Sequence, residues 1–525
     1  MTTELVNNTP KKIERASGKT WTGFAVLMLT VLLISIDNTV LSFALPDVSR
    51  ALRPTGTQLL WIVDVYPLVL AGLLITMGTV GDRIGRRKLL LIGAAGFGAV
   101  SVYAAFSTTP EHLIAARALL GLFGATLMPS TLALLRNMFQ VAEQRRLAVA
   151  IWAAGFSAGA ALGPIVGGWL LEHFWWGSIF LINVPVIAIF LVLAPLLLPE
   201  SKDPAPSKLD LLSAVLSIAS MFLVVLAIKF VAGGNDLFMA AWLFIAGVLL
   251  GWIFIRRQLA ISNPMLDVRL FVNRVFSVSV IANLLSLMAL TGMLYYISQY
   301  LQLVLGYSPM GASMYLIPGL VATIFAGLIA VKLANRFPLR ALIPMGLLMS
   351  AGGFMVGAQL QTGSSVWMLV IAFVLVGLGV GLAETLTNDA ILSSVPPHKA
   401  GAASGISETA YEIGALLGTA LLGSILTAIY RYTIRIPVGI NKDLGLEAQE
   451  TLGAAIEVSN QIPPIVGEEL ARNAREAFTR GADMTSLVGA IATTIAGVLV
   501  FIVLRKRRTV VLDPERELPP KPVES

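Results

Sequence analysis

The chain has 525 residues, 56% of them hydrophobic and only 13% charged, with a mean hydropathy of +0.82; that charge content is about half the ~25% usual for soluble domains. It holds no cysteine and three histidines, which excludes disulfides, thiolate nucleophiles and Cys-ligated metals and leaves metal chemistry only His112, His173 and His398, each beside a loop. The formal net charge of +7 comes from short basic clusters between apolar runs, a topology signal rather than a nucleic-acid footprint.

Fourteen apolar runs are long enough to span a bilayer as helices. The first six are Gly23–Leu45, Gln58–Gly78, Lys88–Ser107, Glu111–Leu135, Arg146–Leu171 and Ser178–Leu198. Two more follow at Leu209–Phe230 and Leu237–Ile255. The last six are Phe276–Leu305, Pro309–Lys332, Arg340–Leu360, Val366–Ser393, Gly401–Tyr430 and Ser486–Leu504. Backbone polar groups in hydrocarbon must be satisfied within their own segment, so the fold class is an all-α polytopic membrane protein. The first run is about twice the length of a signal-peptide core and carries Asp37, so it is read as a retained helix.

Basic residues fix the expected orientation. Lys11, Lys12, Arg15 and Lys19 before the first span match Arg505, Lys506, Arg507 and Arg508 after the last, so an even span count puts both termini in the cytoplasm. Arg136, Arg145, Arg256, Arg257, Arg269 and Arg274 fall on the same side, and Arg50 and Arg53 are mild exceptions. This divides the chain into an N-terminal segment 1–22, a six-helix bundle 23–200, two inserted helices 201–258, a second bundle 259–505 and a tail 506–525. Apart from Lys229 near one end, the inserted pair lacks interior charge and is expected to be structural or lipid-facing. A long external loop, 431–483, has helical patterns at Leu446–Val458 and Pro464–Arg480, as expected of a solvated hairpin over the external mouth.

Between the second and third spans, Gly78, Asp82, Arg83, Gly85, Arg86, Arg87 and Lys88 place an acid, two glycines and a basic cluster at a helix junction. Glycine allows close helix approach and positive φ, and Asp82 is suited to a helix N-terminus or to an arginine across the interface between halves. Lys332, Asn335, Arg336 and Pro338 form a degraded echo after the tenth span, which implies two related halves. In the fifth span Gly155, Gly159, Gly163 and Gly167 recur every fourth residue, with Pro164 and Gly168 beside them, a stripe along which a neighbouring helix can touch backbone. No G-x-x-x-x-G-K-[ST] occurs, so the chain is not an ATP-driven pump. Gly377, Gly379 and Gly381 lie in an apolar span and read as helix packing.

The acids inside spans are Asp37, Asp64, Glu384, Asp389, Glu408 and Glu412. An ionisable side chain in hydrocarbon is costly and reads as functional by default. Asp389 is the exception, near a span end beside His398 and Lys399. Glu408 and Glu412 are one helical turn apart with Tyr411 between them, so both can face one cavity. Burial favours the neutral form of a carboxyl, so a proton and a cation can compete for such a site. Trp61, one turn before Asp64, and Tyr295 and Tyr296 in the ninth span offer aromatic faces to a cation, with Met288 and Met293 as pliable walls. Arg117 stands inside the fourth span, as a proton-relay residue or as the partner of an acid on a neighbouring helix.

The stretch Gly78–Lys88 resembles the loop signature of the major facilitator superfamily. Ile36, Asp37, Thr39, Val40, Ala44, Leu45 and Pro46 are similar to the first-span motif of its fourteen-helix drug/proton antiporters, as are Leu60, Trp61, Asp64 and Tyr66 and the segment Pro264–Phe271 to later motifs. The likeness covers nearly the whole chain, and the Qac-type quaternary ammonium and multidrug exporters are the nearest group it suggests. The resemblance implies a proton-driven antiporter, not an enzyme, in a bacterial inner membrane. It implies no cofactor, a monomer among membrane lipids, and protons and small lipophilic cations as its ligands. In that family the glycine stripe suggests antiport, Arg117 matches an arginine linked with proton relay, and Glu408 and Glu412 fall where these exporters have acids. Some that handle divalent cations carry an acid in the tenth span; Ile317–Ala330 has none here, so divalent export would rest on Glu384. A specific exporter of an endogenous metabolite, lipid or antibiotic is the other reading, but an anion site normally needs more interior basic residues than Arg117.

Overall fold

In a computed structural model the described residues are 16–202, 209–234, 236–261, 264–396 and 399–505. Lys11, Lys12, Arg15, His398 and the tail 506–525 lie outside them. Every regular element among the described residues is helical.

The first bundle holds α1 (Gly18–Leu52), α2 (Gly56–Ile84), α3 (Arg86–Ala105), α4 (Pro110–Met138), α5 (Ala142–His173), the short α6 (Ser178–Leu181) and α7 (Asn183–Leu197). The inserted pair is α8 (Leu211–Ala232) and α9 (Leu237–Ala260). The second bundle holds α10 (Arg274–Gln299), α11 (Pro309–Ala334), α12 (Leu339–Gly357), α13 (Val366–Ser393), α14 (Ala400–Leu417) and α15 (Ser424–Thr433). It continues through the loop helices α16 (Lys442–Glu450) and α17 (Leu452–Ser459) to α18 (Pro464–Arg505). Among the described residues, fourteen helices or helix pairs are long and apolar enough to cross a membrane, matching the fourteen runs expected.

Their ends follow local chemistry. Ser17 caps α1, Thr55 and Gln58 form a reciprocal capping box on α2, and Thr109 caps α4 ahead of Pro110. Arg53 turns into the left-handed region, φ 47°, to end α1. Gly85, φ 111°, turns α2 directly into α3, a backbone state that a side chain would strain. Prolines inside α1, α2, α4, α5, α7, α11 and α12 are the kind of break that packed membrane helices tolerate. Two π-helical turns, Tyr300–Val304 after α10 and Gly418–Gly423 between α14 and α15, interrupt otherwise continuous spans.

The halves meet along α5 with α11, α2 with α14, and α1 with α10. Contacts between them are polar toward the ends where α1 and α14–α15 finish, here called the outer end. There Ser298 Oγ donates to Ser42 O (2.7 Å) and Gln302 Nε2 to Phe43 O (3.0 Å). The 431–483 loop adds Ser49 to Thr451 (2.8 Å), Arg53 to Glu447 (3.4 Å) and Gly56 N to Glu450 (3.0 Å). The expected hairpin over the outer mouth is thus α16 and α17, while the Pro464–Arg480 pattern merges with the last span into the single helix α18. Gly481 lets α18 approach α15 closely, since a Cβ there would meet Leu426 Cδ1 at 3.0 Å and its carbonyl oxygen at 3.1 Å.

Helix α9 turns Phe238, Trp242, Phe244, Ile245, Val248, Leu249 and Trp252 outward, as a lipid-facing helix does. Helix α8 differs. It packs on α2 and also on α15 in the second bundle, and it buries Lys229 completely.

Candidate translocation site

Three connected spaces run between the halves. The first, about 180 Å³, lies toward the end opposite the closed one and is lined by Leu74, Arg136, Trp152, Gly405 and Glu408. The second, about 200 Å³, is lined by Asn38, Thr39, Phe156, Asn283, Glu384, Asn388, Glu408 and Tyr411. The third, about 100 Å³, is lined by Asn38, Tyr66, Arg117, Tyr295, Tyr411, Glu412 and Thr419. Glu408 stands where the first two join and Tyr411 where the second and third join.

The path therefore brings together Glu384 from α13 with Glu408, Tyr411 and Glu412 from α14. The one-turn spacing of Glu408 and Glu412 puts both on the cavity side. Among the described residues none of the three glutamates has an ion pair, and Glu412, 1% exposed, leaves Oε1 with no hydrogen-bond partner. Tyr66 OH, on the same wall, is also unpartnered. A buried anion with neither a basic partner nor a donor is unfavourable, so this wall suits a proton or an organic cation. Asn38, Asn283, Asn388 and Ser407 supply the polar remainder; Ser407 Oγ donates to Asn388 Oδ1 at 2.5 Å. These neutral residues carry no sequence signal that separates them from packing.

Asp37 and Asp64 are engaged elsewhere. Arg117 Nη1 reaches Asp37 Oδ2 at 2.8 Å, its Nε donates to Ile62 O (3.2 Å), and its guanidinium lies 4.4 Å from the Tyr66 ring centre. Asn183 donates to the other Asp37 oxygen (3.3 Å) and to Ser101 (3.2 Å). Arg117 thus has the acid on a neighbouring helix that one of its two readings expects. Asp64 pairs with Lys229 of α8: Nζ is 2.8 Å from Oδ2, both side chains wholly buried. At that distance the ammonium and the carboxylate neutralise one another directly. Lys229 Nζ also sits 3.8 Å from the Trp61 ring centre, and Trp61 packs on Phe222 of the same helix. Lys229, although in the last turn of its helix, is thus a second fully buried basic residue beside Arg117. A lysine in an apolar run is visible in sequence, but its partner, on a helix far away in the chain, is not.

The remaining residues singled out in the sequence make contacts between helices. Tyr296 is turned from the cavity and bonds Ser486 of α18 (2.7 Å). The α5 glycines lie on α1: Gly155 at Met28, Gly159 at Ser35, Gly163 at Thr39 and Gly167 at Val40, with Pro164 inside the helix between them. Gly168 faces α11. At the α2–α3 junction Asp82 pairs with Arg86 (2.7 Å), one turn on, rather than with the α3 N-terminus. The first amides of α3 are taken by the segment after α7: Arg86 N donates to Ser201 O (2.8 Å), and Arg87 N and Lys88 N to Glu200 (3.0 and 3.2 Å). Gly85 leaves room for that carboxylate, and Gly78 sits against Pro129 of α4. Arg83 closes the last turn of α2.

A fourteen-helix bundle whose halves enclose an acid-lined passage is a membrane transporter, and comparison with known proteins gives the family. The sequence model of the Major Facilitator Superfamily matches residues 27–419. The chain is 48% identical over 492 residues to the multidrug efflux pump LfrA of Mycolicibacterium smegmatis, covering 94% of this chain and 98% of that one. It is 38% identical to the methyl viologen resistance protein SmvA of Salmonella typhimurium, covering 87% and 93%, and 32% identical to the tetracenomycin C resistance and export protein of Streptomyces glaucescens, covering 78% and 77%. Among solved structures, a bacterial homolog of the human lysosomal transporter Spinster, inward-facing and unoccupied, matches with a TM-score of 0.66 at 17% identity, over 94% of this chain and 100% of that one. The chain belongs to the major facilitator superfamily, as the sequence motifs indicated, and it is a transporter rather than an enzyme.

Proposed function

We propose that this protein is a proton-coupled multidrug exporter of lipophilic organic cations, among them quaternary ammonium compounds, dyes and cationic antiseptics. It works by alternating access in a bacterial inner membrane, with both termini in the cytoplasm. The observation that carries this reading is the cavity wall of Glu384, Glu408 and Glu412, which among the described residues has no ion-pair partner, Glu412 having an orphaned carboxyl oxygen. Such a wall is neutralised either by protons or by a cation, and alternation between the two is antiport. Tyr66, Tyr295, Tyr411, Trp152 and Phe156 supply aromatic surface along the same path. The closed outer end and the cavity reaching Leu74 and Gly405 correspond to an inward-facing state.

The relatives named for multidrug efflux and for methyl viologen resistance support a cationic substrate, methyl viologen being a flat bis-pyridinium dication. Energy comes from the proton gradient, with no cofactor, and the unit is a monomer of two six-helix halves with α8 and α9 inserted. One proton exchanged for one monovalent cation is electroneutral, driven by about 1.4 kcal/mol per pH unit. A second proton adds a further ~1.4 kcal/mol per pH unit and, because the exchange then moves net charge, about 2.3 kcal/mol per 100 mV of membrane potential.

The test is transport of ethidium or a quaternary ammonium compound by purified protein in liposomes under an imposed pH gradient. Gradient-driven transport that Glu408→Gln loses is the expected result. Well-folded protein that moves no cation under any gradient contradicts it and favours export of a specific metabolite or antibiotic, the task that the tetracenomycin relative's name describes.

A further inference from the structure

The Asp64–Lys229 pair lies outside the glutamate-lined cavity and has no part in the exchange described above. Its composition is nonetheless that of a cation site: a buried carboxylate, an aromatic face, and a monovalent cation seated 2.8 Å from the one and 3.8 Å from the other. The cation is the chain's own. Asp64 is flanked in α2 by Val63 and, two residues on, Tyr66, both of which line the cavity, as do Tyr295 and Thr419 opposite. The site is thus one helix face away from the passage.

The position of α8 gives that seat a mechanical meaning. One turn after Lys229, the helix ends at Gly233, whose carbonyl accepts from Arg431 Nη1 of α15 (2.6 Å). Arg431 also pairs with Glu450 of α16, and Glu450 accepts from Gly56 N, the first residue of α2 (3.0 Å). The outer end of α8 is therefore bound to the first half through Lys229–Asp64 and to the second through Gly233–Arg431. Opening the outer mouth separates α2 from α15, so α8 can follow only one of them. Helix α8 packs on α9, whose Arg257 and Gln258 bond Ser213, and from other elements it meets Asp64, Trp61, Leu68 and Gly72 of α2, Arg431 of α15, and Leu416 and Ala420 around the π-turn. Among the described residues, Lys229 is its only ionic hold on the first half.

We propose that Lys229 is a tethered cation that competes with the transported cation for Asp64 and Trp61, so that substrate arriving at Asp64 frees α8 from the first half and lets the outer end open. This rests on the cationic reading above and adds to it a second cation seat and the element that senses it. When the outer end is closed and no substrate is bound, the lysine neutralises Asp64, which otherwise would be a buried, unpaired anion. When a lipophilic cation takes its place, the carboxylate stays neutralised and the strap is released. A ligand can shift the equilibrium only by its differential affinity for the two states, and displacement of Lys229 supplies that difference.

Two measurements on the full-length chain in lipid nanodiscs test this. The first is equilibrium binding of tetraphenylphosphonium to the wild type, Lys229→Gln, and Asp64→Asn with Lys229→Gln. Removing the competitor is expected to tighten binding at least tenfold, and removing Asp64 as well to abolish the gain. Wild-type-like binding by folded Lys229→Gln overturns the proposal while leaving the cationic reading intact; no binding by the wild type overturns both.

The second measurement needs no ligand and uses the charge-balanced double variant, which avoids leaving one buried charge alone. The chain has no native cysteine, so Phe106→Cys and Tyr432→Cys, exposed at the outer ends of the two halves, can carry a pair of spin labels without background. With the strap uncoupled, the label distances are expected to broaden toward the open state without substrate. A distribution identical to that of the labelled protein with Asp64 and Lys229 intact shows that the pair does not hold the mouth, and contradicts the proposal.

Discussion

Asp37 and Glu412 are buried to the same degree, 1% exposed each, yet their surroundings give them opposite parts. Asp37 is held by Arg117 and Asn183, and Glu412 is left with an orphaned oxygen. Removing Arg117 strands an anion and the hydrogen-bond network around it, a loss of about 3–5 kcal/mol for a broken buried pair. Arg117→Met should therefore lower the thermal denaturation midpoint markedly, whereas Glu412→Gln should leave it unchanged or raised while transport fails. Equal midpoints for the two variants would contradict this division. At this scale the sequence was informative about which residues matter and silent about how they pair. An acid in an apolar run stands out because its cost is local, so Glu384, Glu408 and Glu412 were legible as a set. The partners of Asp37 and Asp64 depend on which helices become neighbours, which no local pattern encodes, and Tyr296, an aromatic like Tyr295 one residue earlier, faces the opposite way because successive helical residues point about 100° apart.

The elements were legible because each span is long and apolar; the caps that fix their starts, such as Ser17, Thr55 and Ser308, came from the structure. Two features were not legible. Helix α18 runs 42 residues without a break, roughly 60 Å and about twice the hydrocarbon thickness, so its first half stands clear of the membrane on α17. Its two parts read separately because their periodic patterns differ, polar on one side of residue 483 and apolar on the other. The contacts of α8 were hidden because its composition is that of a lipid-facing helix, apart from one lysine. The α5 stripe, by contrast, did what its spacing implied. A Cβ at Gly159 would sit 2.6 Å from Ser35 Cβ, and Ser35 already donates to Phe156 O at 2.5 Å. Gly159→Val should force α1 and α5 apart at a cost of about 1–3 kcal/mol, seen as a lower denaturation midpoint together with lost transport. Wild-type stability and transport would show that the two helices do not rely on this contact.

For the whole molecule, the structure is one in which the outer end is closed by bonds between the halves and by α16 and α17. Ser49 and Thr451, with their hydroxyls 2.8 Å apart, mark a point where the closed state can be trapped. Ser49→Cys with Thr451→Cys should cross-link under mild oxidant, because side chains whose terminal atoms already touch put the two sulfurs within reach of each other, and transport should stop until a reductant is added. Transport that continues through a complete cross-link would mean that this contact persists during export and that the outer end opens elsewhere.

The central claim is that proton and cation share the cavity of Glu384, Glu408 and Glu412. It is tested most directly by following proton release when tetraphenylphosphonium is added to purified protein in a weakly buffered solution near neutral pH. Competition predicts that each bound cation expels protons, so that affinity rises with pH, and that neither effect survives in Glu384→Gln, Glu408→Gln and Glu412→Gln combined. Tight cation binding with no proton release, and with the same affinity at every pH, would contradict the account.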